Sequence, residues 1–155
     1  PFSNIDTFRK NKLRRNLFSY LKENNISCIM ATHDSEEALA YADIILMLKN
    51  GTPESFGTPE EVFHNVDTLY QAGFFGEVNM LPSNLFNSEG SSKEHILFPH
   101  QLKLSKVKTN LQVIVKKSYF RGSHYLIKAN WKNQDVFFEH LEKIKKESIV
   151  ELVKQ

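Results

Sequence analysis

The chain has a single cysteine, Cys28, among its 155 residues, so no disulfide can form within it, and a reducing compartment suits it. Cys28 sits inside an apolar run and reads as a small buried hydrophobe without a chemical role. No apolar stretch approaches the roughly 18 residues that a membrane-spanning helix needs, and the start shows no basic-then-apolar signal segment. A soluble chain is expected, with membrane contact made only through a partner. Also missing is any G-x-x-x-x-G-K-[ST] tract, whose backbone N–H groups would wrap a phosphate chain, so phosphate affinity should be poor. The six histidines, His33, His64, His95, His100, His124 and His140, show no metal-like spacing and have no companion cysteines, and no metal site is expected.

What is present is enough for a packed core: 41% of residues are hydrophobic and 25% charged. The formal charge of +2 conceals an asymmetry. Residues 1–75 carry 7 Lys/Arg against 10 Asp/Glu, whereas residues 76–155 carry 13 against 8. A composition break falls in the same place, at Gly73, Gly76 and Pro82 followed by the polar stretch 87–93. Two modules are expected, 1–75 and 76–155.

The first module alternates helix and strand. Asp6 can cap a helix running to Glu23, with Leu13, Leu17, Phe18 and Leu21 on one face and Arg14, Arg15 and Lys22 outside it. Residues 26–32 form a short run without polar alternation, the pattern of a parallel strand covered on both faces. Asp34-Ser35-Glu36-Glu37 has the form of a capping box and opens a second helix. Residues 44–48 read as another strand, and Lys49-Asn50-Gly51 as the tight turn of a hairpin. Thr58-Pro59-Glu60-Glu61 starts a helix with a cap, Pro at the first position and Glu at the third.

One position stands out chemically. Ligands gather at the carboxyl ends of strands in an open parallel sheet, and His33 follows such a strand and precedes a helix start. A neutral imidazole there can donate to a phosphate oxygen, aided by the positive end of the helix.

The words around it strengthen this reading. Ala31-Thr32-His33-Asp34-Ser35-Glu36-Glu37-Ala38, then Ala42-Asp43 and Met47-Leu48-Lys49-Asn50-Gly51, together with the upstream Ser3-Asn4-Ile5-Asp6, resemble the D-loop, H-loop and final strands of ABC-transporter ATPases. The resemblance implies that His33 is the switch histidine that touches the γ-phosphate. It implies that Asp6 is the D-loop aspartate, with Ser3 and Asn4 in the same loop at the dimer interface. The magnesium and base carboxylates are expected before Pro1, and no Leu-Ser-Gly-Gly-Gln-like signature is present. ATP and Mg2+ are therefore the cofactors expected of an intact protein, and none is expected for this chain alone, which should be inactive as an ATPase.

The second module reads as β-rich. Residues 111–116 and 125–131 alternate, residues 136–138 and 149–153 add strands, and a fifth is expected near 96–98, which suggests a small barrel of OB type. Gly76-Glu77-Val78-Asn79-Met80-Leu81-Pro82 and Phe98-Pro99-His100-Gln101-Leu102 resemble a TOBE domain, the accessory barrel of importer ATPases. Phe98-Pro99-His100 stands where many members have Arg-Pro-Glu, so the salt bridges of that tract are not available. Two other readings of an OB-type module are non-enzymatic. Lys116, Lys117, Tyr119, Phe120, Arg121 and Lys128 could line a nucleic-acid groove, and backbone N–H groups could hold a molybdate-like anion. A modest positive balance spread over residues 76–155 does not favour nucleic acid.

The expectation is an α/β fragment, the tail of a P-loop ATPase core with parallel strands and helices, followed by an all-β OB-like TOBE barrel. The resemblance implies the ATP-hydrolysing subunit of a prokaryotic ABC importer, paired with a second copy of itself and with permease subunits. It would lie in the cytoplasm, peripheral on the inner face of the plasma membrane. Self-association of the chain through residues 1–75 is expected. The aromatic link Tyr119-Phe120-Arg121-Gly122 leans toward a ferric-iron importer.

Overall fold

The computed structural model describes residues 7–86 and 94–155, with side chains from residue 11 onward. Helix α1 (Thr7–Glu23) stops where the sequence asks it to, with Asn25 in the left-handed region at φ 52° and Ile26 N–H donating back to Leu21 O at 2.9 Å. Its faces differ from the expected ones. Leu13 and Leu17 are exposed, while Arg14, expected on the outside, is buried. Phe18 holds the helix to the next one by stacking on Tyr41, centroids 4.7 Å apart.

Residues 26–32 correct a second expectation, because they form no strand. A strand exists through the hydrogen bonds of its neighbours, and no described strand lies beside this run. Ile29 is fully exposed, and Cys28 is exposed where burial was expected.

Helix α2 (Ser35–Tyr41) begins at Asp34, whose side chain accepts from Glu37 N–H. Strands β1 (Ile45–Lys49) and β2 (Thr52–Gly57) then form the hairpin, with Asn50 and Gly51 both at positive φ, the backbone that an Asn-Gly turn supplies most readily. Helix α3 (Pro59–His64) opens with a complete capping box between Thr58 and Glu61. That carboxylate returns so closely over Gly57 that a Cβ there would fall 2.9 Å from Glu61 Oε2. Helix α4 (Leu69–Phe75) repeats the device with Thr68 and Gln71. Ala38, Ile45, Met47 and Val62 form the small core between these elements, and Leu46, Leu48 and Phe56 stay exposed.

Strands β3 (Asn79–Pro82) and β4 (Glu94–Leu97) pair with each other. Strands β5 (Leu102–Ser105), β6 (Leu111–Phe120), β7 (Tyr125–Trp131), β8 (Gln134–His140) and β9 (Ile149–Lys154) make a five-stranded sheet in the order β5-β9-β6-β7-β8. Every strand pair among the described residues is antiparallel, so the expected parallel strands are not formed. The expected closed barrel is also corrected, since no ladder joins the outer strands β5 and β8. Residues 94–97 pair with β3 instead of supplying the fifth strand of this sheet, a place taken by β5.

The alternation read from the sequence sets the sheet's inner face, where Leu111, Val113, Val115, Ile127, Ala129, Val136, Phe138 and Leu152 pack with Leu81 and Leu97. One flank of the edge strand β8 is covered by a side chain. The buried Asn79 donates from Nδ2 to Phe137 O at 2.8 Å and accepts from Phe137 N–H at 2.7 Å, mimicking a missing strand. The helices meet the sheet through rings: Phe63 of α3 stacks on Phe98 at 5.0 Å, His100 stacks beside Phe98 at 5.8 Å, and Phe75 meets Phe63 edge-on. Phe98 and His100 thus form an aromatic junction at the positions where the sequence had no salt bridge to offer.

Candidate functional site

His33 is exposed, at a bend between the irregular run 26–32 and α2. Both of its neighbours are fixed. Thr32 Oγ1 donates to Glu37 Oε2 at 2.7 Å and accepts from Asp34 N–H at 3.0 Å, and Asp34 Oδ1 accepts from Glu37 N–H at 3.1 Å. The remaining oxygen of Glu37 faces α1, where Arg14 Nε lies 2.7 Å from Glu37 Oε1 and Arg14 Nη2 lies 3.7 Å from Asp34 Oδ2. One charged hub therefore joins α1, the His33 bend and the first turn of α2, leaving the imidazole outside it and accessible.

Glu37 is not the capping-box partner that its spacing suggested. Asp34 performs its half of that motif, but the Glu37 carboxylate turns to Thr32 and Arg14 rather than back to the cap's own N–H. Sequence reasoning missed Thr32 and Arg14 altogether. The available signal was Arg14 beside an apolar stripe, one turn from Leu17 and Phe18, which is compatible with a buried guanidinium as soon as a carboxylate is at hand. Ser3, Asn4 and Asp6 lie outside the described residues.

Among the candidate cations of residues 76–155, Lys116, Lys117 and Lys128 have partners within the chain. Lys128 Nζ lies 2.6 Å from Asp135 Oδ2, and this hydrogen bond is the first cause of a raised Lys128 pKa. Lys116 pairs with Glu147 at 3.4 Å, and Lys117 lies over the Tyr119 ring at 4.9 Å. Phe120 is exposed and tilts against Tyr125 at 5.1 Å. A cleft of about 690 Å³ opens beside Leu85, Phe86, Lys108, Thr109 and Lys154. It is a poor oxyanion cradle, because Thr109 N–H already donates to Glu151 Oε2 at 3.0 Å. That bond is also the first cause of a lowered Glu151 pKa, followed by the bond from Gln112.

Among the described residues no three metal-ligating side chains converge, and no helix is long and apolar enough to cross a membrane. No family model matches the chain. Individual proteins do. The sulfate/thiosulfate import ATP-binding protein CysA of Bacillus cereus is 32% identical over an alignment covering 98% of this chain and 48% of that protein. The protein of the same description from Synechococcus elongatus is 33% identical over 68% of this chain and 32% of its own length. The Fe(3+) ions import ATP-binding protein FbpC 2 of Rhizobium meliloti is 38% identical over 55% of this chain and 22% of its own length. The chain thus spans less than half the length of each of these relatives. These matches lead to one family: the homologues of this chain are ATP-binding subunits of ABC importers, and the chain corresponds to a part of such a subunit.

Proposed function

We propose that this chain is the C-terminal portion of the ATP-hydrolysing subunit of a prokaryotic ABC importer, with a nucleotide-binding-domain tail at 1–75 and a TOBE-type module at 76–155. The observation that carries this reading is the accessible His33, braced on both sides in a chain whose relatives are importer ATP-binding proteins. In the intact subunit His33 donates a hydrogen bond to the γ-phosphate of ATP. Ser3, Asn4 and Asp6 form the loop that meets a second copy of the subunit across the dimer interface. ATP and Mg2+ are held by residues preceding this chain, and the pair of subunits works on permease subunits from the cytoplasmic face of the membrane. Phosphoryl transfer of this kind depends on positioning and electrostatic stabilisation, so one imidazole held in place at the γ-phosphate has a large effect on rate.

The unpaired run 26–32 and the exposed outer face of the β1–β2 hairpin fit a core whose remaining strands come from upstream sequence. The TOBE-type module serves assembly or regulation, held to α3 and α4 by the Phe63–Phe98 junction. For the solute we favour sulfate or thiosulfate, the description shared by the relatives from Bacillus cereus and Synechococcus elongatus, over ferric iron. The test is reconstitution of the full-length subunit with its permease, measuring ATP hydrolysis and uptake of sulfate, thiosulfate and ferric iron. Sulfate- or thiosulfate-dependent ATP turnover supports the reading, iron-dependent turnover overturns the solute assignment, and no turnover with any solute overturns the importer assignment.

A further inference from the structure

We infer that Arg14 is a positioning residue for His33, acting from α1 through the carboxylate of Glu37. The functional consequence rests on the reading of His33 as the γ-phosphate contact; the structural part does not. His33 itself makes none of the bonds that fix its bend. Its two neighbours make them, and two of the three lead to Glu37, Thr32 Oγ1 to Glu37 Oε2 and Glu37 N–H to Asp34 Oδ1, while the third runs from Asp34 N–H to Thr32 Oγ1. Glu37 Oε1 is in turn 2.7 Å from Arg14 Nε, with both side chains almost out of solvent. The guanidinium also reaches toward Asp34, at 3.7 Å, so two of its three nitrogens address the two carboxylates of the turn. A planar fork suits that double task, and an ammonium does not reproduce it.

Removing the guanidinium leaves two carboxylates, Asp34 and Glu37, close together with no cation between them. Glu37 then has reason to swing toward water, which releases Thr32 and with it the backbone on the amino side of His33. Displacement of a reacting-group contact by about 1 Å costs on the order of a hundredfold in rate. Nucleotide affinity, which comes mainly from elsewhere in such a subunit, should change little.

Two experiments separate this inference from the reading of His33. The first uses the 155-residue chain and amide hydrogen exchange. Arg14→Ala should speed exchange at Asp34 and Glu37, whose N–H groups bond within the bend, by more than any change shared with the β1–β2 and β6–β7 ladders. Unchanged exchange at Asp34 and Glu37 overturns the inference. If Arg14→Ala fails to fold, Thr32→Val and Glu37→Gln keep side-chain shape while removing one link each, and the same local pattern is expected.

The second experiment measures kcat and KM for ATP in the full-length subunit, for His33→Ala, Arg14→Ala, Arg14→Lys and the double alanine variant. Arg14→Ala should lower kcat about tenfold or more with KM within about twofold. Arg14→Lys should recover part of that loss. In the His33→Ala background, Arg14→Ala should cost nothing further, because its effect is routed through the imidazole. Multiplying losses, or wild-type kcat in Arg14→Ala, would overturn the positioning role. Wild-type kcat in His33→Ala would instead remove the reading of His33 and leave the exchange result to decide the inference.

Discussion

Arg14 and Glu37 pair across 2.7 Å with side chains only 9% and 7% exposed, whereas Lys22 and Asp43 pair at nearly the same distance with side chains 62% and 78% exposed. Two ion pairs between α1 and the segment after it therefore differ chiefly in solvent. That difference decides their worth.

Removing one member of a buried pair strands the other and costs about 3–5 kcal/mol, while an exposed pair contributes about 0–1 kcal/mol. Arg14→Ala should lower the stability of the chain by about 3 kcal/mol, and Lys22→Ala by less than about 1 kcal/mol. Urea denaturation of both variants checks the contrast. Equal losses would mean that Arg14 is solvated in solution.

The stacked Phe63 and Phe98 rings predict energetic coupling between α3 and the turn that follows β4. An aromatic pair contributes about 0.5–1.5 kcal/mol beyond the area that each ring buries. A double-mutant cycle with Phe63→Leu and Phe98→Leu should return a coupling of that size, and a cycle with Phe63→Leu and Phe120→Leu should return none within error. Additive losses at Phe63 and Phe98 would show that the helices and the sheet unfold without reference to this contact.

Glu151 gives the chain an acid limb of known sign. Its carboxylate accepts from Thr109 N–H and from Gln112 Nε2, which holds its folded-state pKa below the ordinary value of 4.5. A depressed carboxyl pKa adds stability that is fully present above the unfolded value and is lost as pH falls through the folded value. Glu151→Gln should therefore be less stable than wild type at pH 7, and the gap should close as the pH drops below about 4.5. Urea midpoints at stepped pH measure it. A gap that stays constant with pH would remove Glu151 from the acid response.

Much of this architecture was legible because it is local. The caps at Asp34, Thr58 and the Asn50-Gly51 turn depend on residues within four positions, and the sequence carries them whole. The alternation of residues 111–115 likewise states which face of β6 is buried. Residues 26–32 were misread for the opposite reason: apolarity marks what a strand could bury, but pairing needs a neighbour. Closure of the second module failed as an expectation because it depends on register across all strands, and alternation within each strand is silent on that. At the candidate site, the place of His33 just before a helix start was legible in the sequence, whereas the bracing of its neighbours by Arg14 and Thr32 was not. The place of Arg14 arises from a long-range contact between α1 and α2, and that of Thr32 from a carboxylate five residues on, neither of which a capping rule encodes.

The most direct measurement of the central claim is steady-state ATP hydrolysis by the full-length subunit carrying His33→Ala, set beside its nucleotide affinity. Loss of a hydrogen-bond donor aimed at developing charge costs about 2.7–4 kcal/mol in the transition state, or about a hundred- to a thousandfold in kcat. A fall of that order is expected with ATP affinity changed by less than about threefold, since the phosphates are held mainly by other residues. Wild-type turnover in folded His33→Ala would contradict it.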